Sequence, residues 1–112
     1  MTYTKILFSV SDGLATIALN RPDKLNSFDR EMSLETIHAL DVCAEDKNIR
    51  AVLLTGEGRA FSAGQDLVEA IAPDARIEDI LTTQYNPIVR RIRQLPKPVV
   101  AAVNGVAAGA GA

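Results

Sequence analysis

Apolar positions fall into separated blocks along the chain, and their spacing changes from one block to the next. Lys5–Val10 and Leu14–Leu19 are short, β-branched-rich runs with polar residues interleaved, parted only by Ser11, Asp12 and Gly13. Asp-Gly between two such runs is a strong hairpin signal, because both residues accept the positive φ of a tight turn that matches strand twist. Asn20-Arg21-Pro22-Asp23-Lys24-Leu25-Asn26 is dense in turn formers and lacks periodicity, which predicts a loop. Beyond it Met32, Ile37, Leu40 and Ala44 lie close to one helical face, with Ser27 or Asp29 as N-cap, so a helix is expected from about Arg30 to Glu45.

Ala51–Thr55 is a continuous apolar run of the kind that forms strands buried on both faces, and strand, helix, strand in that order predicts a βαβ unit. Gly56 and Gly58 open a loop through Arg59. Asp66 is placed to cap a short helix over Leu67–Ile71, which Pro73 ends. Ile77, Ile80, Leu81, Gln84, Ile88, Ile92 and Leu95 then recur at three- and four-residue intervals, with Asn86-Pro87 expected to kink this helix or start a new one. Pro96-Lys97-Pro98 stops the pattern, and Val99–Val103 reads as a second buried strand before Gly105 turns the chain into Val106–Ala112. The fold class is α/β, and 112 residues support at most one domain.

Composition narrows the function classes. A content of 47% hydrophobic and 23% charged residues is that of a soluble globular protein. The longest apolar stretch, Pro98–Ala112, is interrupted by Asn104 and Gly105 and falls short of the roughly 20 residues of a membrane span, so no membrane role is expected. The first residues lack the features of a secretory signal and Cys43 has no partner for a disulfide, which points to the reducing cytoplasm. The net charge is −2 and the only cluster of cations is Arg90, Arg91 and Arg93, a solvated helix face or a contact for an anion, so no nucleic-acid partner is expected. His38, the one histidine, sits on the predicted helix as a surface or boundary residue rather than a general base.

Two segments share one chemical logic. Phe61-Ser62-Ala63-Gly64-Gln65-Asp66-Leu67 and Asn104-Gly105-Val106-Ala107-Ala108-Gly109-Ala110-Gly111-Ala112 each turn through small residues from a strand toward a helix start. Such turns can aim backbone N–H groups at an anion, since no bulky side chain blocks an approach to about 3 Å. Alone, the first is also an ordinary strand-to-helix connection with an Asp cap. The second, with Gly105, Gly109 and Gly111, also fits a dinucleotide phosphate turn, but the acidic ribose-binding residue that should follow about 20 positions on is missing.

Asn20-Arg21-Pro22 followed by Lys24-Leu25-Asn26, then VLLTGEGRAFSAGQDL, then LPKPVVAAVNGVAAGAGA, in this order and spacing, resembles the N-terminal half of the crotonase (enoyl-CoA hydratase/isomerase) family over essentially the whole chain. FSAGQDL and NGVAAGAGA look most like its phenylacetate-degradation branch, the 1,2-epoxyphenylacetyl-CoA isomerases. The resemblance implies a spiral of ββα turns, of which this chain supplies the N-terminal portion, and an acyl-CoA thioester as substrate. It implies no metal and no cofactor besides the coenzyme A carried by the substrate. By motif position it assigns the backbone N–H groups of Gln65 and Ala110 to an oxyanion hole for a thioester enolate. Lys24 and Leu25 correspond to the loop lining the coenzyme A groove, with Lys24 a candidate phosphate contact or a plain surface lysine. Ala63, Asp66 and Leu67 correspond to positions that meet the adenine end, while Asp66 also suits a helix cap. The acid/base residues are expected beyond Ala112, in a longer enzyme that forms homotrimers or hexamers. A catalytically incomplete acyl-CoA-binding or scaffolding fragment is the alternative.

Overall fold

Asp12 and Gly13 adopt φ of 52° and 83° in the computed structural model, which describes residues 2–112. They close the hairpin between β1 (Ile6–Ser11) and β2 (Leu14–Leu19), with Ser11 opposite Leu14 and Ile6 opposite Leu19. A single 3-10 turn at Pro22–Lys24 leads to α1 (Arg30–Glu45), whose N-cap is Asp29: its carboxylate accepts the Met32 N–H at 2.8 Å. The chain continues through β3 (Ala51–Gly56), β4 (Ala60–Ser62), α2 (Leu67–Ala70), α3 (Ile77–Ile80), α4 (Asn86–Gln94), β5 (Val99–Ala101) and β6 (Val106–Ala107). One sheet runs in the order β1-β2-β3-β5, with β3 parallel to both β2 and β5, and the parallel pair β4-β6 forms a second, smaller sheet.

The pairing register puts Ile6 and Phe8, then Ala15, Ile17 and Leu19, then Val52 and Leu54, and finally Val99 on one face of the larger sheet. That face packs against Met32, Ala39, Leu40 and Cys43 of α1 and Ile88 and Ile92 of α4 to form the core. The buried stripe of α1 is rotated from the expected one, because Thr36 and Cys43 are buried while Ile37 is half-buried and Ala44 exposed. Two strands expected to be covered on both faces are not. In β3 only Val52 is fully buried, and β5 is shorter than Val99–Val103 and lies at a sheet edge, with Val100 57% exposed. Only the face toward α1 and α4 is closed; the other carries the partly exposed Leu7, Leu14 and Val100. No helix among the described residues is long and apolar enough to cross a membrane.

At Asn86-Pro87 a new helix, α4, does start, with the proline in its first turn, yet the backbone stays helical across the junction. α3 passes into α4 through a π-type segment, Leu81–Tyr85, with helical dihedrals at Leu81 (φ −61°, ψ −47°) and Asn86 (φ −59°, ψ −43°). The Asn86 N–H reaches back to the Leu81 carbonyl, one residue further than in an α-helix. Proline lacks a donor and its ring crowds the carbonyl one turn earlier, and a widened turn ahead of Pro87 accommodates both without ending the helix.

Both ends of α1 are tied to distant segments. Buried Glu35 accepts three successive backbone N–H groups on Oε1, from Thr4 at 3.0 Å, Lys5 at 2.8 Å and Ile6 at 3.2 Å, and the Thr4 hydroxyl donates to Oε2 at 3.1 Å. At the other end the Lys97 ammonium donates to the Cys43 carbonyl at 2.5 Å and the Asp46 carbonyl at 2.8 Å. α1 has no basic residue in its own last turn, so Lys97 supplies the cation that its dipole and free carbonyls favour. Replacing Glu35 with Ala leaves those N–H groups without their acceptor, an expected loss of about 2–3 kcal/mol in urea unfolding, with amide protection falling first at Thr4–Ile6. Lys97→Met is expected to cost about 1 kcal/mol with β1 protection unchanged. Losses below about 0.5 kcal/mol, the range of ordinary surface substitutions, would contradict both assignments.

Candidate functional site

The loop at 20–26 follows its 3-10 turn with two successive left-handed residues, Leu25 (φ 52°) and Asn26 (φ 55°). This turns the Asn26 side chain wholly inward, to 0% exposure. Its Oδ1 accepts the Arg21 N–H at 2.8 Å, and its Nδ2 donates to the carbonyls of Glu57 and Ala60, each at 2.9 Å. The Asn26 carbonyl in turn accepts the hydroxyl of buried Ser62 at 2.8 Å, and the Leu25 carbonyl accepts the Ala63 N–H at 3.0 Å. One buried amide therefore joins the 20–26 loop to both ends of the β3–β4 connection.

Phe28 then fixes the turn after β4. It forms a parallel bridge with Gln65, taking the Gly64 carbonyl on its N–H at 2.6 Å and giving its own carbonyl to the Asp66 N–H at 2.8 Å. In such a bridge the middle residue presents its own N–H and carbonyl to the opposite side, so the Gln65 N–H points away from Phe28. Next to this turn lies the second small-residue segment. Val106 pairs with Ala60 and Ala107 with Ser62, and the Ala108 N–H donates to the Ser62 carbonyl at 3.1 Å. Asn104 adds two bonds, from its Nδ2 to the Gly58 carbonyl at 3.0 Å and to the Ala60 carbonyl at 3.1 Å.

The two turns touch at glycines. Gly64 has φ of 108°, and a Cβ there would lie 2.9 Å from the Ala108 carbonyl oxygen and 3.4 Å from the Ala110 nitrogen. A Cβ at Gly111 would collide with the Ser62 carbonyl. Ala110 thus lies beside the turn that carries Gln65, and among the described residues neither backbone N–H donates to a protein acceptor.

Beside this junction is a surface pocket of about 320 Å³ lined by Lys24, Ser27, Ala63, Gln65, Asp66, Leu67 and Val68. Five of the seven residues singled out in the sequence line it together. Leu25 does not; half-buried, it contributes its carbonyl to the Ala63 N–H instead, because the left-handed turn directs the chain inward at this point. Ala110 lies outside it, on the adjoining turn. Lys24 is exposed, and its ammonium enters no ion pair among the described residues. Asp66 caps α2, accepting the Glu69 N–H at 3.0 Å, and pairs with Arg21 Nη2 at 2.9 Å. The Glu69 N–H, and then the Arg21 guanidinium, hold the Asp66 carboxyl below the usual carboxylate range against the opposing effect of burial. His38 takes no part here; its Nδ1 meets the Tyr3 hydroxyl at 2.7 Å.

Several residues that build the site escape a reading of the sequence. Arg21 and Asn26 belong to the motif, yet only the fold shows them as a bridge to Asp66 and as the buried amide. The tolerance of asparagine for left-handed backbone was the one local signal for Asn26. Tyr85, whose hydroxyl donates to Gln65 Oε1, approaches from a helix 20 residues away with no sequence signal at all.

Residues 9–112 match the family model described as enoyl-CoA hydratase/isomerase. The chain is 50% identical over 111 residues to 1,2-epoxyphenylacetyl-CoA isomerase of Escherichia coli, covering 96% of this chain and 42% of that protein. It is 44% identical to a probable enoyl-CoA hydratase of Rhodobacter capsulatus, covering 100% of this chain and 43% of the relative. Among solved structures, an enoyl-CoA hydratase/isomerase from Xanthobacter autotrophicus superposes with a TM-score of 0.89 at 37% identity, over 98% of this chain and 42% of that one. The chain therefore spans less than half the length of these relatives, and its fold corresponds to an N-terminal portion of theirs. Sequence match and backbone superposition agree: the chain belongs to the enoyl-CoA hydratase/isomerase, or crotonase, family.

Proposed function

We propose that this chain carries the thioester-binding part of an acyl-CoA enzyme that works through an enolate, with isomerisation as its reaction. The observation that carries the reading is the junction of the two turns, where the outward-facing Gln65 N–H and the N–H of neighbouring Ala110 lack protein acceptors among the described residues. In an isomerisation a proton leaves the carbon beside the thioester, the electron pair moves onto the thioester oxygen, and a proton returns at another carbon. Two backbone donors at that oxygen stabilise the charge where it develops, each contributing roughly 3–4 kcal/mol in comparable sites. The identity to a protein named as an isomerase favours this reaction over hydration. Lys24, exposed and lining the pocket, is suited to a coenzyme A phosphate, and Ala63, Asp66 and Leu67 to the neighbouring part of the carrier. Coenzyme A enters as part of the substrate, and the reading calls for no separate cofactor.

A second reading, binding without turnover by these 112 residues, is favoured by one observation. Among the described residues Asp66 is the only acidic one lining the pocket, and its carboxylate is already engaged by Arg21 and the Glu69 N–H. Proton transfer then needs a group from outside this pocket.

Calorimetry with acetyl-CoA and free coenzyme A tests the anion-binding turn, because only the first presents a thioester oxygen. Acetyl-CoA is expected to bind about tenfold more tightly, and equal affinities would count against the oxyanion hole. Gly64→Ala forces a side chain into left-handed backbone and against the Ala108 carbonyl, so it is expected to abolish that preference and to destabilise the chain by about 1–3 kcal/mol. Lys24→Ala is expected to weaken both ligands by the same factor, about three- to tenfold; weakening of acetyl-CoA alone would remove Lys24 from the phosphate site.

A further inference from the structure

Gln65 offers a side chain as well as a backbone donor, and that side chain is held at both ends. Its amide nitrogen donates to the Asp66 carbonyl at 3.1 Å, and its amide oxygen accepts the Tyr85 hydroxyl. The Tyr85 ring meets Phe28 edge-on, with centroids 6.1 Å apart and planes at 80°. Phe28 is the same residue whose backbone bridges Gly64 and Asp66. Phe28 thus holds the peptides on either side of Gln65, Tyr85 packed on Phe28 holds its side chain, and the Gln65 N–H is turned away from Phe28.

Tyr85 is the last residue of the π-type segment Leu81–Tyr85. Turns of this kind are rare and recur beside functional sites. Burial, and then the Glu69 and Asp66 carboxylates, push its phenol up to about 12, so it keeps its proton through neutral pH and remains a donor to Gln65. Phe28 belongs to the core and the Tyr85 ring packs against it, while the Tyr85 hydroxyl is given to Gln65.

We propose that Tyr85 is a positioning residue for the anion-binding turn: by holding the Gln65 side chain it fixes the direction in which the Gln65 backbone N–H points. The consequence for ligands rests on the reading of that N–H as a thioester donor; the geometry does not.

The test compares Tyr85→Phe, Gln65→Met and their combination in the full chain, with thermal unfolding as a control for folding. Two properties are read: the proton and nitrogen amide resonance of residue 65 with its solvent exchange, and the affinities for acetyl-CoA and free coenzyme A. Tyr85→Phe is expected to move the Gln65 amide resonance, speed its exchange and weaken acetyl-CoA about three- to tenfold while leaving coenzyme A unchanged, the loss appropriate to one neutral hydrogen bond. Gln65→Met, which removes the acceptor and keeps the backbone, is expected to weaken acetyl-CoA equally, and adding Tyr85→Phe to it should change nothing further. An unmoved Gln65 amide, equal weakening of both ligands, or additive losses in the double variant would overturn the inference. If the parent chain shows no preference for acetyl-CoA yet the amide responds to Tyr85→Phe, the acyl-CoA reading fails and the positioning role stands. Should Tyr85→Phe not fold, Gln65→Met decides from the other side of the same contact: its amide exchange must rise and its acetyl-CoA affinity fall, or the inference fails.

Discussion

A fully buried asparagine amide holds the functional half of this molecule together. Asn26 has one acceptor and two donor hydrogens on its side chain, and each finds a backbone partner: the Arg21 N–H and the carbonyls of Glu57 and Ala60. An amide in that position must be satisfied completely, because an unpaired polar group inside a protein costs about 1–3 kcal/mol. The requirement fixes the distance between the 20–26 loop and the β3–β4 connection. Everything downstream inherits that distance. Ser62 donates to the Asn26 carbonyl, the Phe28 bridge sets the 64–66 turn, and Arg21 reaches Asp66 at 2.9 Å to lock the cap of α2.

This arrangement separates two tasks that small proteins often combine. The apolar core lies between the larger sheet and the helices α1 and α4, and supplies stability by burial. The site is assembled by short polar contacts among loops, on a two-stranded sheet whose strands have only three and two residues. Side chains take part in most of those contacts, and those of Asn26, Ser62 and Asn104 bond to backbone groups of another segment. Substitutions at Gly64 and Gly111 are restricted by backbone atoms that have no alternative rotamer.

How much of this was legible beforehand follows from the range of the interactions. The hairpin, the span of α1, the Asp66 cap and the loop at 20–26 rest on contacts within a few residues, and local pattern reports them. β4 and β6 exist only because each is the other's partner, so neither has a signal of its own. The burial of β3 and β5 was overread for the same reason: apolar content shows what a strand could bury, while the layers that pack on the sheet decide what it does. The N–H triplet on Glu35 joins residues about 30 apart, and an isolated glutamate on a helix gives no hint of it. For the site, the two turns could be recognised by motif, but the Tyr85 grip and the inward turn of Leu25 depend on tertiary placement.

The attachment of Lys97 to the end of α1 bears on the order in which the chain acquires structure during synthesis. Glu35 can grip Thr4–Ile6 as soon as α1 leaves the ribosome, since its partners were made first. The Cys43 carbonyl must wait for a lysine made 54 residues later. Through that interval the far end of the helix is open, and it closes only when the Pro96-Lys97-Pro98 turn delivers β5 to the sheet edge. The same turn therefore completes the helix and adds the strand at once, coupling two events that would otherwise be independent steps of maturation.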